Sequence, residues 1–230
     1  MKAIIPGLYS FENLLVGRVY LLDDGDGLRI VDTGLALAAD RVLDQLAASG
    51  RRAADVREIW VTHAHPDHVG GLRKLRDVTG AQVIASAVEK PIIEGVAPVP
   101  RPDPASLPLP ARLMPIPETR YEGVSVDRSV EDGEILAGGW TVVATPGHAP
   151  GHISFWHPVK RALLLGDVLM NVVGLRLPIA SATFDMEQNK RSLRRLLDLD
   201  VQTLCFGHGQ PIMQDGGEAL RAFAKRTNIL

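Results

Sequence analysis

The chain has 230 residues, of which 46% are hydrophobic and 23% are charged, and its formal net charge at pH 7 is -2. This composition is close to ordinary globular usage, so a sizeable core can form without disulfides. The near-neutral charge gives no bulk attraction to nucleic acid or to an anionic membrane. Cys205 is the only cysteine, which excludes an internal disulfide and a thiolate metal cluster.

Neither the N-terminal residues nor the most apolar later segment has the pattern of a targeting signal or a membrane span. Residues 1–7 lack the apolar stretch and cleavage site of a signal peptide, and the most apolar later segment, 162–182, is interrupted by Asp167, Arg176 and Pro178. We therefore expect a single domain over residues 1–230 in the cytoplasm, with no nucleic-acid or membrane partner. A homodimer is expected only as the commonest oligomeric state.

The first half of the chain alternates predicted strands and helices. Apolar runs at 19–22 and 28–31 flank an Asp- and Gly-rich segment, which predicts a hairpin ending at Asp32. Further strands are predicted at 59–62 and 83–85. Apolar residues at helical spacing predict two helices, one ended by Gly50 and one by Gly80; their buried faces are Ala39, Val42, Leu43 and Leu46 in the first and Val69, Leu72, Leu75 and Val78 in the second.

A proline-rich loop, taken as residues 95–120, separates the two halves. Eight of the sixteen prolines lie between residues 98 and 117, where they prevent a helix or a central strand. Such a loop is either a lid over a site or a connector across the surface.

The second half repeats the mixed pattern of strands and helices. Strands are predicted at 141–144, 153–156, 162–165 and 203–206, and helices around Leu193, Leu196 and Leu197 and around Leu220, Phe223 and Ala224. Two such halves can pack sheet against sheet with helices outside, which makes the fold class α/β (α+β).

Three of the seven histidines fall within the six residues from His63 to His68. The run Thr-His-Ala-His-Pro-Asp-His lies between a predicted strand and a predicted helix. Side chains two apart in an extended turn point to one side, so His63 and His65 can bind one ion, and Asp67 and His68 face elsewhere, toward a second ion. The alternative is a polar loop in which Asp67 caps the helix.

Other polar residues with metal-binding side chains follow predicted strands directly. They are Asp32, His148, Asp167 and His208, and glycines accompany each of them. If these strand ends meet along one edge of the sheets, the side chains converge there.

These motifs together resemble the metallo-β-lactamase fold superfamily, in the hydrolase branch that contains glyoxalase II-like and lactonase-like enzymes. The resemblance covers nearly the whole chain through five ordered motifs: Val-Asp-Thr-Gly at Asp32, the His63 to His68 run, Thr-Pro-Gly-His-Ala-Pro-Gly-His at His148, Leu-Gly-Asp at Asp167 and Phe-Gly-His-Gly at His208. It implies a four-layer αββα sandwich.

The resemblance also implies a two-metal site. One ion would be held by His63, His65 and His148 and the other by Asp67, His68 and His208. Asp167 would bridge the ions, and Asp32 would be an outer carboxylate. We expect His152 to orient a ligand instead of binding metal. Both divalent ions are expected to be zinc, with iron or manganese as alternatives.

Nitrogen and oxygen ligands that leave a coordination position for water indicate catalysis. The expected reaction is cleavage of a small-molecule ester, thioester or lactone by a metal-bridging hydroxide. Asp67 and Asp167 are the candidate proton carriers, although both are also ligands.

Departures from the patterns of known subfamilies limit the choice of substrate class. The bridging Asp167 makes β-lactam hydrolysis a minor alternative. Asp167 is followed by Val168, Leu169 and Met170, where lactonases have a tyrosine. The chain ends soon after His208, where glyoxalase II continues into a glutathione-binding extension. Phosphoester hydrolysis, a mononuclear-iron persulfide dioxygenase-like activity and metal binding without catalysis remain alternatives.

Overall fold

Two β-sheets are stacked face to face, and helices cover the outer face of each sheet. A computed structural model of the protein describes residues 1–107, 109, 119 and 121–230. The first sheet has the strand order β1-β2-β3-β4-β5-β6-β7, with bounds β1 (Lys2–Ile5), β2 (Leu8–Ser10), β3 (Tyr20–Asp23), β4 (Leu28–Val31), β5 (Val56–Trp60), β6 (Gln82–Ser86) and β7 (Arg128–Val130). The second has the order β11-β10-β9-β8, with bounds β8 (Thr141–Ala144), β9 (Ile153–His157), β10 (Ala162–Leu164) and β11 (Thr203–Cys205).

Six α-helices and four short 3₁₀ turns connect the strands in the described ranges. The helices are α1 (Ala38–Ala48), α2 (Pro66–Val69), α3 (Leu72–Thr79), α4 (Lys90–Ile93), α5 (Met186–Leu196) and α6 (Gly216–Arg226). The 3₁₀ turns are Ala53–Asp55, Pro104–Ser106, Ala137–Gly139 and Ala180–Ala182. Within those same ranges, no helix combines the length and the apolarity that a membrane crossing needs.

Three separate hydrophobic clusters confirm the predicted αββα layering. The first joins the first sheet to its helices, and includes Leu21, Ile30, Val42, Ile59 and Leu72. The second lies between the sheets and includes Leu22, Val31, Trp60, Phe155 and Leu164. The third joins the second sheet to α5 and α6, and includes Leu163, Leu193, Leu204, Leu220 and Phe223. Strand neighbours such as Leu21 and Leu22 enter different clusters because successive side chains of a strand point to opposite faces.

The helix predicted after His68 is two helices in the structure. It starts earlier, at Pro66, and Gly70 and Gly71 separate α2 from α3. The predicted buried position of Val78 is wrong, since the residue is 51% exposed, whereas Leu72 and Leu75 are buried. The reason is that a spacing of three turns a helix by about 300°, so each step drifts about 60° away from the buried face.

Other differences from the predicted elements are small. β1, β2 and β7 have no counterpart among the predicted strands. Much of the proline-rich loop lies outside the described residues, namely 108, 110–118 and 120. The described residues Val99, Pro100, Arg101, Pro102 and Thr119 border a cavity that also touches His65 and Asp67.

Parallel strand pairing brings the polar strand ends together. β4 and β5 pair parallel, so Asp32 and the segment starting at Thr62 leave the first sheet at the same edge. In the second sheet β10 and β11 pair parallel, and β8 runs in the same direction because β9 is antiparallel to both β8 and β10. His148, Asp167 and His208 therefore leave the second sheet at a common edge.

Candidate metal centre

Seven side chains from the two sheets meet at this edge, and their ligand atoms form overlapping groups of three. The groups whose ligand atoms all lie within 4.8 Å of one another are His63, His65 and His148; His63, His68 and Asp167; and Asp67, His68 and His208. All seven residues singled out as ligands from the sequence are thus brought together. Which of them bind metal stays a prediction.

The first group has the spacing of ligands around one tetrahedral ion. His65 Nδ1 lies 3.1 Å from His63 Nε2 and 2.9 Å from His148 Nε2. Nitrogens that bind one zinc at 2.0–2.1 Å in a tetrahedral arrangement lie about 3.3 Å apart. Only a small outward movement of these three imidazoles would accommodate an ion.

Asp167 lies between the first group and the third. Its Oδ2 is 3.4 Å from His148 Nε2 and 3.1 Å from His208 Nε2, while its Oδ1 is 3.6 Å from His68 Nε2. Asp67 Oδ2 lies 3.2 Å from His208 Nε2. A carboxylate in the position of Asp167 can contact an ion on either side.

Two buried atoms of the cluster have no hydrogen-bond partner among the described residues. They are His68 Nε2 and Asp167 Oδ1. An unpaired buried polar atom costs roughly 1–3 kcal/mol, and these two atoms face each other where a cation would satisfy both. The residues present therefore fit a metal site.

In three of the histidines, the ring nitrogen that does not face the centre is held by another side chain. His63 Nδ1 lies 3.0 Å from Thr62 Oγ1, and His148 Nδ1 lies 3.1 Å from Thr183 Oγ1. His68 Nδ1 lies 2.8 Å from Asp32 Oδ2. Such outer contacts fix the tautomer and the orientation of metal-binding histidines.

Asp32 ties the turn before the histidine run to the first sheet. Its Oδ1 accepts hydrogen bonds from the Thr62 N–H at 2.8 Å and from Thr62 Oγ1 at 3.0 Å. Its backbone φ is 59°, a left-handed conformation that aspartate tolerates better than most residues. The alternative reading of Asp67 as a helix cap is wrong, because the cap residue of α2 is His65.

Both ring nitrogens of His152 contact atoms that are not among the candidate ligand atoms. Nδ1 lies 2.8 Å from Thr145 Oγ1, and Nε2 accepts a hydrogen bond from the Asp167 N–H at 3.0 Å. This geometry suits the predicted orienting role, since it positions the backbone of the carboxylate between the two groups.

The electrostatics divide the centre into a neutral part and an anionic part. Burial lowers the pKa of His63 and of His148 well below the ordinary value, and that of His65 to about 4, so these rings are neutral and offer lone pairs. Burial acts in the same direction on His208, but hydrogen bonds to Asp167 and Asp67 raise its pKa to about 9. Carboxylates that draw a proton onto a buried histidine equally favour a bound cation.

Glu89 and Tyr121, like Thr183, lie near the candidate ligands and were not identified from the sequence. Glu89 accepts hydrogen bonds from the N–H groups of Ala64 and Gly151 at 2.9 and 2.7 Å, and the Tyr121 hydroxyl donates to the Ala64 carbonyl at 2.8 Å. No local motif marks either residue, because their partners are distant in the chain.

Two cavities border the centre. One, of about 550 Å³, touches His208 and is lined by Arg18, Val172, Gly209, Gln210 and residues 11–17. The other, of about 200 Å³, touches His65 and Asp67 and has Val99–Pro102, Thr119, Ser181 and Ala182 as its walls. A small molecule can therefore reach the candidate ligands from two directions.

Comparisons with known proteins agree with this geometry. A family model described as the metallo-beta-lactamase superfamily matches residues 13–208. The probable metallo-hydrolase YybB of Bacillus subtilis is 28% identical over 198 residues, which are 85% of this chain and 82% of that protein. A hydroxyacylglutathione hydrolase of Rhodospirillum rubrum is 31% identical over 212 residues, which are 86% of this chain and 70% of that protein.

A solved structure shows the same fold. It is the metallo-beta-lactamase family protein TTHA1429 from Thermus thermophilus, which superimposes with a TM-score of 0.69 at 26% identity. The superposition covers 97% of this chain and 81% of the TTHA1429 chain.

Proposed function

The chain belongs to the metallo-β-lactamase superfamily as one of its metallo-hydrolases, and from that premise we propose that it cleaves a small-molecule ester, thioester or lactone at a two-metal centre. The observation that carries the proposal is the position of Asp167, buried between His63, His65 and His148 on one side and Asp67, His68 and His208 on the other. The hydroxyacylglutathione hydrolase similarity supports a thioester as the first substrate to test.

The protein's own residues divide the work between holding metal and handling protons. A pair of divalent ions, when bound, polarises a carbonyl and lowers the pKa of a shared water toward about 7. His63, His65 and His148, as neutral imidazoles, would hold one ion, and Asp67, His68 and His208 would hold the other. Asp67 is the better placed proton carrier, since its side chain is 24% exposed, whereas that of Asp167 is 2% exposed.

Access to the centre supports a small substrate. The cavity beside His208 and the cavity beside His65 together offer room for an acyl group and a leaving group. We propose that the proline-rich loop, whose described residues form one wall of the second cavity, acts as a lid that sets substrate size.

Metal analysis combined with an activity screen tests the proposal. The purified full chain is analysed for bound metal and assayed on an ester, a thioester, a lactone, a phosphodiester and a β-lactam. We expect two divalent ions per chain and turnover of an ester, thioester or lactone that His63→Ala abolishes. His157→Gln, at the end of β9 and outside the three ligand groups, is the matched control and should retain activity.

Each other result has a definite meaning. One iron per chain with oxygen uptake would replace the hydrolase proposal by a dioxygenase. Two ions with no turnover on the whole panel would indicate a metal-binding protein without hydrolase activity. Phosphodiester or β-lactam turnover alone would keep the centre but change the substrate class.

A further inference from the structure

Glu89 is a buried carboxylate that joins two loops of the metal centre. It follows β6, and the residue is 1% exposed. Its Oε2 accepts the Ala64 N–H at 2.9 Å, and its Oε1 accepts the Gly151 N–H at 2.7 Å. Ala64 lies between His63 and His65, and Gly151 lies in the loop that carries His148.

The carbonyl groups of the same two residues are also held by side chains. The Tyr121 hydroxyl donates to the Ala64 carbonyl at 2.8 Å, and the Ser86 hydroxyl donates to the Gly151 carbonyl at 2.6 Å. Both the N–H and the carbonyl group of Ala64 and of Gly151 are therefore held by side chains.

The loops approach Glu89 so closely that a side chain is excluded at Gly151. A Cβ there would lie 2.5 Å from Ser86 Oγ and 2.9 Å from Glu89 Oε1. Burial raises the pKa of Glu89, and the two backbone hydrogen bonds act in the opposite direction. A carboxylate suits this place because it offers two acceptors and no donor, whereas a glutamine offers one acceptor and an N–H group that would face another N–H.

The two loops belong to different sheets. The loop with Ala64 follows β5 of the first sheet, and the loop with Gly151 joins β8 to β9 of the second. The three nitrogens of His63, His65 and His148 must keep a spacing of about 3.3 Å to bind one zinc ion, so the relative position of these loops controls the affinity of that site.

We infer that Glu89, together with Tyr121, is a positioning residue that clamps these two loops and sets the geometry of the ion held by His63, His65 and His148. The inference rests on the proposed metal centre. Neither residue would contact the ion, since Glu89 acts through the backbone of Ala64 and Gly151 and Tyr121 acts through that of Ala64.

Metal affinity of the full chain tests the clamp. Wild type, Glu89→Gln and Glu94→Gln are stripped of metal and titrated with Zn²⁺ in competition with a chromophoric chelator. Glu94 is the matched control because it also lies next to α4 and accepts a backbone N–H, that of Val126, at 3.0 Å, but away from the ligands. We expect Glu89→Gln to bind one of two ions about 10-fold or more weakly, in line with outer-shell substitutions at metal sites, and Glu94→Gln to match wild type.

Substitution with Co²⁺ reports on ligand geometry independently of activity. The visible absorption of the Co²⁺-loaded Glu89→Gln chain should differ from that of wild type, while Glu94→Gln should show the wild-type spectrum. Wild-type zinc affinity and spectrum in Glu89→Gln would overturn the inference, as would an equal loss of affinity in Glu94→Gln.

Tyr121→Phe provides a second, milder test. It removes only the hydroxyl that holds the Ala64 carbonyl. If circular dichroism shows Glu89→Gln to be unfolded, the zinc affinity of Tyr121→Phe tests the clamp in its place. We expect a loss of zinc affinity of a few fold, and unchanged affinity would then overturn the clamp. A wild-type chain that binds no metal would instead overturn the proposed function.

Discussion

Gly207 occupies a position where any side chain would collide with the candidate metal ligands. A Cβ there would lie 1.9 Å from Asp167 Oδ1 and 2.8 Å from His68 Cε1. The backbone cannot retreat easily, because its N–H donates to the Gly166 carbonyl at 2.8 Å and its carbonyl accepts from the Arg18 N–H at 2.7 Å. The close approach explains why a glycine precedes His208.

Gly207→Ala should therefore displace the carboxylate of Asp167. We expect activity to fall about 100-fold, as for other small misplacements of catalytic groups, with loss of at least part of one metal equivalent. The measurements are turnover and metal content, with Gly217→Ala in α6 as control, where the nearest contacts to a new Cβ are 3.2 Å away. Full activity in Gly207→Ala would show that Asp167 is not confined as described.

His152 provides a test of orienting against binding. Its ring nitrogens contact Thr145 Oγ1 and the Asp167 N–H, so His152→Gln should keep two metal ions. We expect the free energy of unfolding to fall by about 1–3 kcal/mol, because buried hydrogen bonds are lost. Metal analysis and urea unfolding measure the two effects, and a folded His152→Gln chain that lacks one ion would identify His152 as a ligand.

At the scale of elements, α3 shows how a helix presents its apolar face. Leu75 is fully buried, while Val78, one nominal repeat later, is 51% exposed. Both residues are in the same helix of eight residues, so they form a pair in which burial differs and secondary structure does not.

Alanine substitutions at these two positions should have very different costs. Leu75→Ala is expected to lower the free energy of unfolding by about 2–5 kcal/mol, because it opens a cavity in the core. Val78→Ala should change it by less than about 0.5 kcal/mol. Urea unfolding of the full chain measures both, and equal effects would contradict the position of α3 on the first sheet.

At the scale of the whole molecule, the candidate ligands join the two sheets. His63, His65, Asp67 and His68 come from the first sheet, and His148, Asp167 and His208 come from the second. Bound ions would therefore stabilise the native state by linking the two halves of the sandwich, in addition to the apolar cluster between them.

Removal of metal should loosen this edge more than the rest of the molecule. We expect chelation with EDTA to abolish activity, lower the Tm and increase amide hydrogen exchange at residues 62–69, 145–152 and 205–209. Readdition of Zn²⁺ should restore all three properties. Exchange in α1 serves as the internal control, and unchanged exchange at the three segments would contradict a metal link between the sheets.

Local patterns in the chain were sufficient for most of the candidate site. His63 and His65 are two residues apart in an extended turn, so their convergence needs no information from elsewhere. Asp32, His148, Asp167 and His208 each follow a strand. β4 pairs parallel with β5 and β10 with β11, and β8 runs in the direction of β10 because β9 is antiparallel to both. The resemblance of the ordered motifs to a known superfamily supplied the layer order, which the three apolar clusters confirm.

The sequence by itself determined the types of candidate ligand and the strand ends that carry them, because those features depend on residue identity and short-range periodicity, and its ordered motifs indicated a hydrolase through their resemblance to a known superfamily. Only the tertiary structure decided that Glu89, Tyr121 and Thr183 lie beside the candidate ligands and hold them or their loops. Glu89 is 25 residues from Ala64 and 62 from Gly151, and hydrogen bonds over such separations depend on how the two sheets pack, which local periodicity does not encode.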